Sequence, residues 1–142
     1  MSVATIKEIQ DQIIDDFSLM DEWDDKYAYL IELGKKVPNL ADQHKTDENI
    51  IKGCQSKVWM ISKFENNQVT YEADSDALIV KGLIALLLKT FSGRTPDEII
   101  HTEPYFIEAI GMSQHLSMTR SNGLASMVKQ MKLHALAYKA KA

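Results

Sequence analysis

One cysteine, Cys54, stands in 142 residues, so the chain closes no internal disulfide. With no C-x-x-C, a dithiol oxidoreductase is excluded. A lone thiol also falls short of the roughly four ligands an iron–sulfur cluster needs. The four histidines, His44, His101, His115 and His134, show neither H-x-x-x-H nor a Cys/His pair at zinc spacing, so no metal site is expected. Glycines are few, and Gly82, Gly93, Gly111 and Gly123 stand apart from one another, which excludes a glycine-rich phosphate loop. There is no basic excess. The net charge of -4 and the pI near 5.5 disfavour a nucleic-acid partner. Long apolar runs are missing too: Ala77 to Leu88 is too short for a bilayer and contains Lys81. The opening MSVATIKEIQ lacks a basic stretch followed by an apolar one, so no secretory signal and a cytoplasmic setting are expected. Charge of one sign is absent locally. No base lies between Glu8 and Asp25, a span with eight acids, and no acid lies from Ala109 onward. Two solvated helix faces explain this asymmetry, and so does a bipolar surface that orients a charged partner.

What is present suits a soluble globular chain, 45% apolar and 25% charged, long enough to bury its own core as one domain over 1–142. Ile6, Ile9, Ile13, Ile14 and Phe17 fall on a helical period. A second helix is expected from Glu22 to Lys35, with Trp23 as a helix-packing residue, Gly34 as its stop and Pro38 beyond. Residues 40 to 50 read as a polar loop. Lys57 to Phe64 and Val69 to Ala73 read as strands around a turn at Glu65-Asn66-Asn67-Gln68, with Trp59 in the core. Asp74-Ser75-Asp76 offers caps for a buried central helix running to Phe91, with Gly93 just past its end. Thr95-Pro96-Asp97-Glu98 has the capping-box spacing of a short helix, and another covers about 105–110 after Pro104. The last helix is expected from Thr119 or Ser121 to Ala140, with Leu124, Met127, Val128, Met131, Leu136 and Ala137 on its apolar side. Strands occur in one block between helices, which gives an α+β fold: a small antiparallel sheet packed against several helices.

Cys54 follows Gly53 on a loop among Lys52, Gln55, Ser56 and Lys57, just before the first strand. A buried structural thiol is one reading. The polar neighbours and two lysines, which favour a thiolate, support a reactive one. Two reactive roles remain open: an acyl-transfer nucleophile with a histidine base, and a carrier of sulfur as a persulfide. A carrier gains from solitude, because a second thiolate would attack the persulfide, close a disulfide and release sulfide. His115, in a polar segment before the last helix, is a candidate base or hydrogen-bond partner, with a structural role as the alternative. His44 and His134 read as surface residues. Arg120, near the start of the last helix, sits against the helix dipole, so an ion pair or a contact with the cysteine loop or a partner is expected of it.

The stretch Gly53-Cys54-Gln55-Ser56-Lys57-Val58-Trp59 resembles the signature of the SufE family, sulfur acceptors of iron–sulfur cluster assembly. Tyr27 to Gly34 is similar to the family's second-helix motif and Asp74 to Ala85 to its central helix. Gln114-His115-Leu116 and Thr119 to Leu124 resemble the segment leading into its last helix. Nearly the whole chain takes part. The departures are Met118-Thr119, where Pro and Ser are expected, and a slightly longer N-terminus. The resemblance implies the SufE/IscU-like fold and a persulfide carried on Cys54, with Gly53, Gln55 and Ser56 as its loop and hinge. His115 and Arg120 match family motif positions. The resemblance further implies no cofactor of the chain's own and no independent turnover. The pyridoxal phosphate (PLP) belongs to a partner cysteine desulfurase, SufS-like or CsdA-like, that the carrier stimulates. A SufBCD-like scaffold would receive the sulfur. Gln55-Ser56 favours SufE over the paralogous CsdE-like acceptors. No nucleic acid and no membrane are expected as partners, and the protein itself is expected to be a monomer or weak homodimer. The alternatives are a pure interaction module that activates a partner enzyme, with Cys54 inert, and a hydrolase using Cys54 and His115.

Overall fold

The computed structural model describes residues 4–52, 56–111 and 118–141; for 118–122 it describes the backbone only. Within them the order is α1 (Ile6–Ser18), α2 (Trp23–Lys35), β1 (Val58–Glu65), β2 (Gln68–Ser75), α3 (Leu78–Phe91), α4 (Pro96–His101), α5 (Phe106–Ala109) and α6 (Met118–Lys141). Two short 3-10 turns, Asp42–His44 and Asp47–Asn49, interrupt what the sequence suggests is plain loop. The architecture is α+β, with two antiparallel strands and helices around them.

The hairpin follows from its turn. Asn66 and Asn67 both take positive φ, 52° and 61°, as a two-residue type I′ turn demands and as Asn tolerates. That turn fixes the register Glu65↔Gln68 through Val58↔Ser75. Val69, Tyr71 and Ala73 alternate inward, as their spacing predicts. On its other edge β2 is closed by backbone bonds between Val69 and Gly93–Arg94. Gly93 makes that return possible with a φ of 82°.

β1 keeps its expected length of eight residues, shifted by one, whereas β2 runs longer than its alternation suggests. β2 continues through Asp74 to Ser75, and α3 begins at Leu78 with Ala77 as its cap residue. The Asp74-Ser75-Asp76 cap is therefore corrected: Ser75 Oγ does accept from the Ala77 amide at 3.2 Å, but Asp74 turns inward. By contrast, the capping box at Thr95 and Glu98 forms as expected, with Pro96 in the first turn. A second box, Thr5 with Glu8, opens α1.

The core lies between α3, the sheet and the flanking helices, and includes Phe17, Leu30, Val58, Phe91, Ile99, Phe106 and Met131. α3 and α2 cross where Gly82 meets Leu30 and Gly34 meets the backbone of Lys81 and Gly82. A Cβ built on Gly82 would stand 2.2 Å from the Leu30 carbonyl oxygen, so the crossing exists only because both helices bring glycine to it. Trp23 packs partly buried against the core beside Tyr27, as expected of a helix-packing residue. Buried Gln10 ties α1 to α5. Its amide donates to the Glu103 carbonyl and its side-chain oxygen accepts from the Phe106 amide. On α6 the buried line is Leu124, Met127, Met131 and Ala135, with Val128 and Tyr138 alongside. Leu136 and Ala137 fall off that line, and Leu136 stays half exposed. The correction is one of phase: α4 covers a narrower face of α6 than a broad apolar stripe allows.

Candidate functional site: the base of the cysteine segment

The chain leaves the second 3-10 turn, runs through Ile50 and Ile51, and returns at Val58 to start β1. The Ile51 amide donates to the Val58 carbonyl at 2.8 Å, and Ile50 bridges to Trp59. Ile51 and Val58 are both buried. The six residues between them, with Cys54 among them, thus depart from and return to two apolar anchors held side by side. Lys52 and Lys57 are exposed, and Ser56 lies partly exposed in a bend. Gly53, Cys54, Gln55 and His115 lie outside the described residues, as does the side chain of Arg120, whose backbone is in the first turn of α6.

Under these anchors sits an ionic cluster that sequence reading missed. Asp74, only 2% exposed, faces Trp59 across the hairpin. One carboxylate oxygen accepts from the Leu40 amide (3.0 Å), and Lys45 Nζ lies 3.5 Å from it. The other accepts from the Ser75 amide (2.8 Å) and meets Lys81 Nζ at 3.2 Å. Lys81 also donates to Asn39 Oδ1 at 2.7 Å, and Lys45 stands over the Trp59 ring at 5.5 Å. Trp59 is accordingly half-buried beneath a cation rather than sunk in the core. Burial pushes the Asp74 carboxyl upward, but the Leu40 and Ser75 amides and Lys81 outweigh it, and the group titrates below the usual carboxylate range. Lys45 also lies 3.9 Å from the exposed Asp42 carboxylate, so two ammonium groups are shared between two carboxylates. No local signal marks Asp74, because its partners come from a polar connector and from the next helix.

A second cluster joins β1 to α6. His134, expected at the surface, is half-buried, and burial lowers its pKa. Its Nδ1 lies 2.7 Å from Ser62 Oγ, which lies 2.9 Å from the Tyr138 hydroxyl. Tyr138 donates to the Ser62 carbonyl at 3.1 Å, and the Gln130 amide meets His134 Nε2 at 3.2 Å. One assignment satisfies the whole set. Gln130 donates to Nε2, Nδ1–H donates to Ser62 Oγ, the Ser62 proton goes to Tyr138, and the Tyr138 proton goes to the carbonyl. The serine proton then points away from the imidazole, so this is a clasp between strand and helix rather than a base aimed at a nucleophile. Ser62, Gln130 and His134 line a pocket of about 280 Å³ together with Glu48, Asn49 and Met60. The helical spacing of Gln130, His134 and Tyr138 is the signal that could have revealed the clasp.

Among the described residues no group of three His, Cys, Asp or Glu side chains could hold a metal ion. No described helix is long and apolar enough to cross a membrane.

Comparison with known proteins bears on this arrangement. Residues 11–135 match the family model "SufE: Fe-S metabolism associated domain". An uncharacterized SufE-like protein of Rhizobium etli is 47% identical over 130 residues, covering 88% of each chain. A second, from Rhizobium meliloti, is 45% identical over 130 residues, covering 88% of this chain and 93% of its own. The solution structure of a hypothetical protein from Thermus thermophilus superposes with a TM-score of 0.74 over 91% of this chain and 94% of its own, at 18% identity. That last likeness speaks for the fold alone. The family match over most of the length, together with relatives near half identity, shows that the chain belongs to the SufE family, whose domain is associated with iron–sulfur metabolism.

Proposed function

We propose that this protein is a sulfur carrier in which Cys54 accepts a sulfane sulfur from the persulfide of a PLP-dependent cysteine desulfurase. The observation that carries the reading is that the chain's only thiol lies on the short segment between the Ile51 and Val58 anchors, in a chain of the SufE family. The Cys54 thiolate attacks the outer sulfur of the donor persulfide. A new S–S bond forms on Cys54, the donor's S–S bond breaks, and its electron pair leaves with the donor thiolate. The sulfane sulfur keeps its oxidation level, so no external oxidant or reductant enters. A scaffold cysteine then attacks in the same way and takes the sulfur on. Clearing the donor's persulfide is what stimulates the desulfurase.

In this reading the chain needs no cofactor of its own and works in the cytoplasm, where thiols stay reduced. Its partners are a SufS-like or CsdA-like desulfurase and a SufBCD-like scaffold. Gly53, Gln55 and Ser56 let the segment swing between sheltering the sulfur and presenting it, and His115 and Arg120 assist from the segment before α6 and its first turn. The exposed Lys52 and Lys57 favour the anionic forms of thiol and persulfide.

The test is intact mass after incubation with a cysteine desulfurase and free cysteine, with Cys54→Ser as control. The expected result is a gain of one sulfur atom that reductant removes and the variant lacks. No gain with desulfurase turnover still stimulated would make the protein an activator that carries nothing.

A further inference from the structure

The anchors of the cysteine segment are themselves held from below by one buried side chain. Asp74 gathers four partners from three parts of the chain. These are the connector after α2 (Leu40 amide and Lys45), the end of its own strand (Ser75 amide), and α3 (Lys81). Two of these partners reach the flanks of the segment. Lys45 lies over Trp59, the residue that bridges to Ile50. Ser75, whose amide Asp74 holds, donates its hydroxyl to the Lys57 carbonyl at 2.8 Å. Lys57 is the last residue before β1. Both ends of the segment are therefore connected through Asp74, one by Trp59 and Ile50, the other by Ser75 and Lys57.

A fully buried carboxylate is costly for mere stability, because apolar packing of similar volume serves as well or better. It is suited to specifying one arrangement of the groups around it, since any other leaves a charge unpaired. Its links to Ile50 and Lys57, on the flanks of the cysteine segment, indicate which arrangement is at stake.

We propose that Asp74 is a positioning residue for Cys54: with Lys45, Lys81 and Ser75 it fixes the spacing and direction of the two chain ends from which the cysteine segment departs. The proposal rests on Cys54 being the working residue. Asp74 acts through the flanks of the segment, by way of Lys45, Trp59 and Ile50 on one side and Ser75 and Lys57 on the other.

The test compares wild type with Asp74→Asn, which removes the charge but keeps acceptor oxygen, and Ser75→Ala, which removes the pin on Lys57 together with the longer bond from the Ala77 amide. Two local readouts are followed: amide hydrogen exchange in peptides covering 50–58, and the rate of Cys54 alkylation by iodoacetamide. Exchange at the hairpin tip, 63–70, and the thermal midpoint serve as controls. The expected result is faster exchange at 50–58 and a changed alkylation rate in both variants, each by about fivefold, the effect of losing roughly one net hydrogen bond from a local opening. The hairpin tip should exchange as in wild type. Unchanged values at 50–58 and at Cys54, or acceleration spread evenly over the hairpin, would overturn the proposal. If Asp74→Asn does not fold, Ser75→Ala decides alone. These readouts need no sulfur donor. A wild-type chain that takes up no sulfur, yet shows the local shifts, would sink the carrier reading and leave the positioning role standing.

Discussion

At the scale of single residues, half-buried His134 and buried Asp74 contribute acid sensitivity in separate pH windows. His134 has a folded pKa below the ordinary value of 6.5, because burial disfavours the imidazolium. The unfolded chain therefore binds the proton first. Stability should hold above about pH 6.5 and fall as pH drops below it, until the folded-state imidazole also titrates. Asp74 has a folded pKa below 3.8, so its contribution is present above that value and disappears as pH falls through the folded pKa. Urea unfolding from pH 8 to pH 3 should thus show two declines. His134→Gln should abolish the upper one, whereas Asp74→Asn should shrink only the lower, to which the lowered carboxyls of Glu8, Asp11 and Asp97 also contribute. A single decline unaffected by His134→Gln would refute the assignment. Ser62→Ala should cost about 1 kcal/mol, because it strands His134 Nδ1 in a half-buried site, while Tyr138 keeps its bond to the residue-62 carbonyl. Chemical denaturation of that variant at pH 7.5 measures it with the imidazole neutral.

At the scale of elements, the α2–α3 crossing is a joint close enough to demand glycine. Gly82→Ala places a methyl group 2.2 Å from the Leu30 carbonyl oxygen, and the obstacle is backbone, which cannot rotate aside. A destabilisation of about 3 kcal/mol or more is expected, at the upper end of overpacking costs. Gly93→Ala is a useful contrast: nothing crowds that Cβ, so only its φ of 82° resists, and the cost should be nearer ~1 kcal/mol. Thermal melts of the two variants should rank in that order.

The same elements show where sequence is informative. Helical periodicity, the Thr95 capping box and the Asn-Asn turn are local signals, and each appears in the structure where those residues predict it. Asp74-Ser75-Asp76 misleads because a cap and a strand end look alike until Leu40 and Lys45 arrive to hold the carboxylate. Trp59, His134 and Leu136 mislead for a related reason. Their exposure depends on what packs against them from elsewhere: a lysine over Trp59, a serine and tyrosine about His134, and too little of α4 to cover Leu136. Cys54 is legible as a solitary thiol beside glycine, whereas the ionic cluster beneath its segment is assembled from residues far apart in the chain and leaves no motif.

At the scale of the whole molecule, the contacts that define the base of the cysteine segment come from the α2–β1 connector, both strands and α3, and the same strands are clasped to α6 through Ser62, His134 and Tyr138. Tyr71 adds a further tie, donating its buried hydroxyl to the Met131 carbonyl at 2.6 Å. Since α3 carries the core against α2 as well, no group of elements has a core of its own to fall back on when another opens. The chain should therefore unfold as one unit. Trp23 reports from α2 and Trp59 from the base of the cysteine segment, while the helical circular dichroism signal is spread over every helix. Urea curves from a Trp23→Phe variant, a Trp59→Phe variant and wild-type circular dichroism should give one common m-value and, within each variant, coincident fluorescence and dichroism midpoints. An earlier Trp59 transition, with helicity retained, would mean that the base of the segment opens before the helices part. Presentation of Cys54 would then come from a foundation that yields, and the fixed anchors at Ile51 and Val58 would describe only the most stable of its states.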